Sequence, residues 1–152
     1  MDNDIKILDE IYSQPENFLS RVNQELKRAQ RYLNFVSYIN IDTNRMNVTD
    51  NLPVNGQNLE LFNKLRLHIR KTIRQTDIIS GFVNGKISLL LIETNKTGAE
   101  IVKKRLQDSI KYFLHEIVEA PQNWKINLNA GSFPDDEHTP NSFYDKLNSS
   151  LS

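Results

Sequence analysis

The stretch Asp77-Ile-Ile-Ser-Gly-Phe-Val-Asn-Gly-Lys-Ile-Ser-Leu-Leu-Leu-Ile-Glu93 decides the fold of this chain. It contains two apolar runs separated by Asn84-Gly85, the dipeptide most typical of a two-residue turn between antiparallel strands. The sequence therefore predicts a β-hairpin over residues 78–92. Directly upstream lies Arg74-Gln-Thr-Asp77, where a cation and an anion stand three residues apart and a helix is expected to pass into the first strand.

Segments with helical and strand periodicity flank the hairpin on both sides. Apolar residues at a spacing of 3.6 predict a main helix after Ser13-Gln-Pro-Glu16, a second over about 57–73 and a third after Thr97-Gly-Ala-Glu100. The first and third of these starts have the pattern of a capping box. Thr139-Pro140 predicts the start of a last helix, and residues 4–12 predict a short helical lead-in.

Two further strands complete the pattern. Phe35–Ile41 is rich in β-forming residues and predicts a central strand, and residues 124–130 alternate between polar and apolar side chains. Residues 43–56 are polar and contain Pro53, which predicts a loop. The order α–β–α–β–β–α–β–α predicts an α/β (α+β) fold with one mixed, largely antiparallel sheet flanked by helices.

Composition limits the classes of function. The 152 residues contain 19 basic and 19 acidic side chains, so no net field favours nucleic acid. Cysteine is absent, which excludes thiolate metal sites and disulfides. No apolar run is long enough to span a membrane and no signal peptide is evident, so we expect a cytoplasmic protein. The polar end, Leu147–Ser152, suggests an excised piece of a longer protein.

Charged side chains supply the candidate chemistry. Arg66, Arg70 and Arg74 recur every four residues and therefore share one helical face, which is either a solvated surface or an anion site. Asp77 is either an acceptor for the N–H edge of a guanine or a helix-end partner of Arg74. The triplet Asp135-Asp136-Glu137 is either a weak cation site or, more commonly, a solvated turn.

Taken together, these segments resemble a GGDEF domain, the diguanylate cyclase fold, over nearly the whole chain. Ser37-Tyr-Ile-Asn-Ile-Asp42 is similar to the family's strand that ends in Asp-x-Asp. Val83-Asn84-Gly85-Lys86-Ile87 occupies the place of the Gly-Gly-Asp-Glu-Phe signature, five residues after Arg-x-x-Asp. Asn127–Asp135 looks like the last core strand and its Pro-Asp turn. The resemblance implies a lead-in over residues 1–15 and a degenerate GGDEF-like domain over 16–152, with the C-terminal helix truncated.

The departures from the family pattern fall on the catalytic positions. The resemblance implies two metal ions held by an acid at position 40 and an acid in the signature, yet these places hold Asn40 and Gly85, with Lys86 beside them. The guanine-reading positions fall near Val48 and Gln57, and the basic residues of the family's last helix lie beyond Ser152. We therefore expect no metal, no cofactor and no cyclase activity.

The regulatory motif of the family is retained. The resemblance implies that Arg74 and Asp77, joined by Arg105 on the helix after the hairpin, form a site for cyclic di-GMP, with Arg70 on the basic face that leads to it. The first hypothesis is a cyclic di-GMP receptor module. The alternative is a ligand-free domain for dimerisation or for docking other domains of a bacterial signalling protein, and the third is a residual diguanylate cyclase.

Overall fold

The computed structural model describes residues 3–43, 56–117, 126–149 and 151, and it describes the side chains of the third helix from residue 60 onward. Within these ranges the chain forms five α-helices and four strands. In chain order they are α1 (Asn3–Ile11), α2 (Pro15–Tyr32), β1 (Val36–Asp42), α3 (Gly56–Thr72), β2 (Ile78–Ile79), β3 (Lys86–Ile92), α4 (Lys96–Tyr112), β4 (Asn127–Phe133) and α5 (Pro140–Ser149). A π-turn, Phe113–Ile117, continues α4.

The four strands form one sheet in the order β2-β3-β1-β4. β1 lies in the middle, as predicted, and pairs with β3 on one side and β4 on the other, so that Val36 stands opposite both Ile92 and Phe133. All three described pairings are antiparallel. The predicted sheet flanked by helices is confirmed. A mixed, largely antiparallel sheet was expected, and its described part is entirely antiparallel.

Two helices cover each face of the sheet. One face is formed by Ile39, Ile41 and Leu89, which are fully buried against apolar residues of α3 and α4. The other face carries Tyr38 and Leu90, which pack against apolar residues of α2 and α5. Each large side chain buried in this way contributes about 1.5–3 kcal/mol of transfer free energy. Both faces therefore help to fix the orientation of the sheet.

The predicted turn at the hairpin tip is confirmed. Asn84 and Gly85 both have positive φ, 52° and 75°. Val83 and Lys86 exchange two backbone hydrogen bonds of 2.8 and 3.0 Å across them. The first strand of the hairpin is shorter than predicted, because β2 contains only Ile78–Ile79. There the Ser80 hydroxyl accepts the backbone N–H of Ser88, in place of a regular backbone partner.

The structure corrects three predicted boundaries. The capping box at Thr97 does not form, because Asn95 caps α4 one residue before its start and accepts from Gly98 N. The cap of α2 is Gln14, which makes no side-chain capping bond, while the Ser13 hydroxyl donates back to Glu10 O. β4 extends through Phe133 rather than ending at residue 130, because Gly131 lets the strand lie directly against the Tyr38 ring.

Some predictions fall outside the described residues. They are the greater part of the loop predicted over 43–56, Val48 within it, the side chain of Gln57, and the first residues of the strand predicted over 124–130. Among the residues that are described, no helix has both the length and the apolar character needed to cross a membrane.

Candidate functional site

The end of α3 is joined to the end of β3 by one buried carboxylate. Asp77 is only 2% exposed. Its two oxygens accept the backbone N–H groups of Arg74 and Ile92 at 3.0 and 3.1 Å. They also accept Nε and Nη2 of Arg74 at 3.3 and 3.1 Å. Asp77 therefore fixes the Arg74 side chain and the strand end in one rigid unit.

The guanidinium of Arg74 is held on one side and open on the other. Its Nη2 donates to Ile92 O at 2.5 Å and to Thr94 Oγ1 at 2.7 Å, yet 56% of the side chain is exposed. Within the described part of the chain, its Nη1 has no hydrogen-bond partner. Because it is already positioned, this cation can meet an anion with little loss of side-chain entropy.

A cleft of about 360 Å³ opens beside this guanidinium. Arg74, Asp77 and Arg105 all line it, together with Phe35, Ile73, Glu93, Thr94, Asn95, Gly98 and Val102. Arg105 is exposed on α4 and makes no ion pair with any described residue. The structure thus brings together three residues that the sequence assigned to one ligand site: Arg74 and Asp77 from the connection between α3 and β2, and Arg105 from the middle of α4.

Arg70, the fourth residue assigned to that site, does not line the cleft. It is 5% exposed, and its guanidinium donates to Asp9 Oδ1 and Asp77 O, both at 3.0 Å, and to the carbonyl of Arg74. The basic face of α3 is neither solvated nor free for an anion at this position. The acid that neutralises it is Asp9 of α1, which is distant in sequence, so the residue pattern of α3 alone does not indicate it.

Arg66, on the same face of α3, is also occupied by the protein itself. It donates to Ser80 O at 2.8 Å and to Asp9 O at 2.6 Å. Burial lowers its pKa, although the charge of Asp9 acts in the opposite direction. Arg66 and Arg70 together fasten α1 and the start of the hairpin to α3, so they position the site without facing it.

At the hairpin tip, the residues in the signature positions are bound to their neighbours. The carbonyl of Gly85 accepts Thr43 N at 2.8 Å and also the Thr43 hydroxyl. Asn40, 3% exposed, accepts the Ser88 hydroxyl at 2.7 Å. A second cleft of about 360 Å³ opens here, lined by Tyr38, Asn40, Asp42, Lys86, Asn129, Lys146 and Ser149. Burial, and then the charges of Glu137 and Asp136, raise the pKa of Tyr38 to about 12.

The acidic triplet after β4 takes part in structural contacts. Asp136 pairs with Lys96 at 3.1 Å and Glu137 pairs with Lys146 at 2.6 Å. Burial opposes ionisation of Glu137, but the bonds from Lys146 and Ser142 outweigh it and hold its pKa below the ordinary value. Among the described residues, no group of three or more His, Cys, Asp or Glu side chains is placed to hold a metal ion.

Comparison with known proteins identifies the architecture. No protein-family model matches the sequence, and no curated protein matches it. Solved structures do match. The FimX GGDEF domain from Pseudomonas aeruginosa has a TM-score of 0.72 at 12% identity, over 90% of this chain and 84% of that one. The chain has the fold of GGDEF domains.

Diguanylate cyclases share this GGDEF fold. A "DGC protein" from Thermotoga maritima matches with a TM-score of 0.65 at 15% identity, over 95% of this chain and 98% of its own. The diguanylate cyclase SiaD from Pseudomonas aeruginosa, solved in complex with its activator SiaC, has a TM-score of 0.72 at 17% identity. That match covers 97% of this chain and 60% of SiaD.

On this GGDEF fold, the residues at the hairpin tip and on the neighbouring part of β1 do not fit the metal ions that the family resemblance implies. A divalent cation of the magnesium type is usually bound through one or two carboxylates together with water and substrate phosphates. Position 40 offers an amide oxygen that already accepts a hydroxyl, and the Gly85 carbonyl is already bound by Thr43. Lys86 stands opposite Asp42, the carboxylate of this cleft. The ammonium group repels a cation at the place where a second carboxylate would be needed.

Proposed function

We propose that this chain is a catalytically inactive GGDEF-type signalling domain that binds cyclic di-GMP in the cleft lined by Arg74, Asp77 and Arg105. The observation that carries the proposal is the placement of two exposed guanidinium groups, from different elements, in one cleft. The Arg105 guanidinium can bind a phosphate through two parallel hydrogen bonds, whereas Arg74 offers its Nη1, because its other nitrogens already donate to Asp77 and Thr94. A cyclic dinucleotide presents two phosphates on one ring, so a pair of separated arginines suits it.

The clamp around Arg74 supports binding with little rearrangement. Asp77 and Thr94 already hold the guanidinium in place through Nε and Nη2, and the opposite side remains open to the cleft. Arg105 has no internal partner among the described residues and gains one when an anion binds. Catalytic inactivity is supported by the residues at the implied metal-binding positions, which are Asn40 on β1 and Gly85 at the hairpin tip, with Lys86 beside it.

Isothermal titration calorimetry with cyclic di-GMP tests the proposal. We expect binding by the wild type and an affinity at least about tenfold lower for Arg105→Ala, because a charge-assisted hydrogen bond contributes about 1.5–3 kcal/mol. Lys104→Ala is the matched control. It removes the same charge from the next position of α4, where Lys104 is 73% exposed and pairs loosely with Asp108 at 3.5 Å. Its affinity should match that of the wild type.

Two results would contradict the proposal. The first is the absence of binding heat for the wild type at high micromolar ligand. The second is an equal loss of affinity in Arg105→Ala and Lys104→Ala, because a shared loss would reflect general electrostatics rather than a contact in the cleft. The alternative role, docking of another domain or a second copy, stays a prediction from the sequence.

A further inference from the structure

The carboxylate of Asp77 is not available to read a base. Its oxygens already accept four N–H groups, two of them from the backbone of Arg74 and Ile92. If Asp77 turned toward a ligand, these backbone groups would lose their acceptor in a buried place, which is unfavourable. A nucleotide in this cleft therefore needs another group to recognise its base.

Glu93 and Phe35 stand at the same end of the sheet and line this cleft. The β1–β3 register pairs Val36 with Ile92, so Phe35 and Glu93 are the next residues beyond that pair. Glu93 has a φ of 49°, which turns the chain immediately after β3. Its side chain is exposed and makes no hydrogen bond or ion pair with any described residue, whereas Phe35 is half-buried.

The same two residues also line an adjoining pocket of about 210 Å³, which contains Arg28, Tyr32 and Asn34. Phe35 and Glu93 thus mark the boundary at which two pockets meet. A planar group seated there has an aromatic surface beside it and a carboxylate near its edge. Proteins commonly recognise unpaired bases with this combination of stacking and hydrogen bonds to the Watson–Crick edge.

We propose that Phe35 and Glu93 recognise a guanine of the bound ligand. The base stacks on the Phe35 ring, and its N1–H and N2–H groups donate to the two oxygens of Glu93. This inference rests on the proposed function and assigns its base specificity. Adenine has no N1–H, and the lone pair of its N1 would face the carboxylate, so Glu93 also disfavours the wrong base.

The direction in which Glu93→Gln changes the affinity separates this role from a purely electrostatic one. Near the phosphates of a ligand, a carboxylate that makes no contact is repulsive, so its removal would strengthen binding. A carboxylate that accepts two hydrogen bonds from guanine has the opposite effect. We therefore expect Glu93→Gln to weaken cyclic di-GMP binding by about tenfold or more.

Titrations with cyclic di-GMP and cyclic di-AMP test the inference in parallel. The wild type should prefer cyclic di-GMP, and Glu93→Gln should lose most of that preference. Glu100→Gln is the control, because Glu100 is an exposed carboxylate on α4 that does not line the cleft. It should keep both the affinity and the preference. Phe35→Leu should weaken both ligands by a similar factor, with thermal unfolding used to verify its fold.

The outcomes separate this inference from the proposed function. If the wild type prefers cyclic di-GMP and Glu93→Gln binds it equally well or more tightly, Glu93 is not the base reader, while the receptor function stands. If the wild type binds both dinucleotides equally, Glu93 is again not the base reader, and the receptor function again stands. If Phe35→Leu is folded and binds both ligands as the wild type does, the base does not stack on Phe35. Absence of any binding by the wild type overturns the receptor function and this inference together.

Discussion

Two glycines set how closely segments of the chain approach each other. A Cβ atom at Gly81 would lie 2.4 Å from the carbonyl oxygen of Ser13, and one at Gly131 would lie 2.4 Å from Cε2 of Tyr38. The first contact is with backbone, which cannot move away as the end of a flexible side chain can. Gly81 therefore lets the start of the hairpin lie against the connection between α1 and α2.

We expect Gly81→Ala to lower the free energy of unfolding by about 1–3 kcal/mol, because the added methyl group forces the two segments apart. Urea denaturation monitored by circular dichroism measures the change. Gly98→Ala is the control. Its Cβ would meet a side-chain methyl, Thr94 Cγ2, at 3.0 Å, and the gain of up to about 1 kcal/mol in helix propensity offsets that contact. Equal stability of Gly81→Ala and the wild type would contradict the contact.

Among the elements, α1 packs against the rest of the protein through an ion pair more than through buried apolar surface. Asp9, 8% exposed, pairs with the buried Arg70 at 3.0 Å, and Ile5 is the buried apolar residue of the helix. Ile7, Leu8 and Ile11 remain between 44% and 56% exposed. Since Arg70 also donates to the carbonyls of Arg74 and Asp77, the docking of α1 and the backbone of the candidate site share one guanidinium.

Asp9→Ala should destabilise the fold by about 3 kcal/mol, because it leaves the Arg70 charge buried without its carboxylate. The loss in Asp9→Ala combined with Arg70→Met should be smaller than the sum of the two single losses, because each single change leaves the other charge of the pair without its partner and the double change does not. Chemical denaturation of the four proteins of this cycle gives the coupling energy. Glu10→Ala, at an exposed neighbour on α1, should change stability by no more than about 0.5 kcal/mol. Equal effects of Asp9→Ala and Glu10→Ala would show that the ion pair is not stabilising.

The elements that were predicted correctly are those encoded locally. The Asn84-Gly85 turn follows from two adjacent residues that tolerate positive φ, and the order of helices and strands follows from periodicity. The errors arose where two local signals compete or where a distant residue decides. Thr97 and Asn95 both suit a helix cap, and only the structure shows that Asn95 is used. The burial of Arg70 depends on Asp9, which lies on another helix.

The residues of the candidate site also differ in whether a local sequence pattern indicates them. Arg74, Asp77 and Arg105 were found through the spacing that the family resemblance supplies, and all three line one cleft. Phe35 and Glu93, which we propose as base-recognising residues, belong to no sequence motif. Their proximity follows from the register between β1 and β3. Strand register is a long-range property, and the hydrophobic pattern of the two strands does not display it residue by residue.

At the scale of the whole molecule, the two clefts lie toward opposite ends of β1. The first, called the arginine cleft because Arg74 and Arg105 line it, lies beyond the pair Val36–Ile92. The second, called the polar cleft, is lined by Asp42 and Lys86, which form the last pair at the other end. These two ends lie about 20 Å apart along the seven residues of β1, and Tyr38 and Asn40 between them also line the second cleft. Different residues line each cleft, so side chains at the second cleft can change without altering the lining of the first.

The side chains of the polar cleft predict that the protein has no diguanylate cyclase activity. Incubation of the protein with GTP and Mg²⁺ or Mn²⁺ should give no cyclic di-GMP, because two-metal phosphoryl chemistry needs a set of carboxylate ligands that holds both ions. The polar cleft offers Asp42 among its lining residues, together with the cations Lys86 and Lys146. Chromatographic detection of the product, with an active diguanylate cyclase as positive control, measures this. Metal-dependent product from the wild type that disappears in Asp42→Ala would show that the cleft is catalytic despite Asn40 and Lys86.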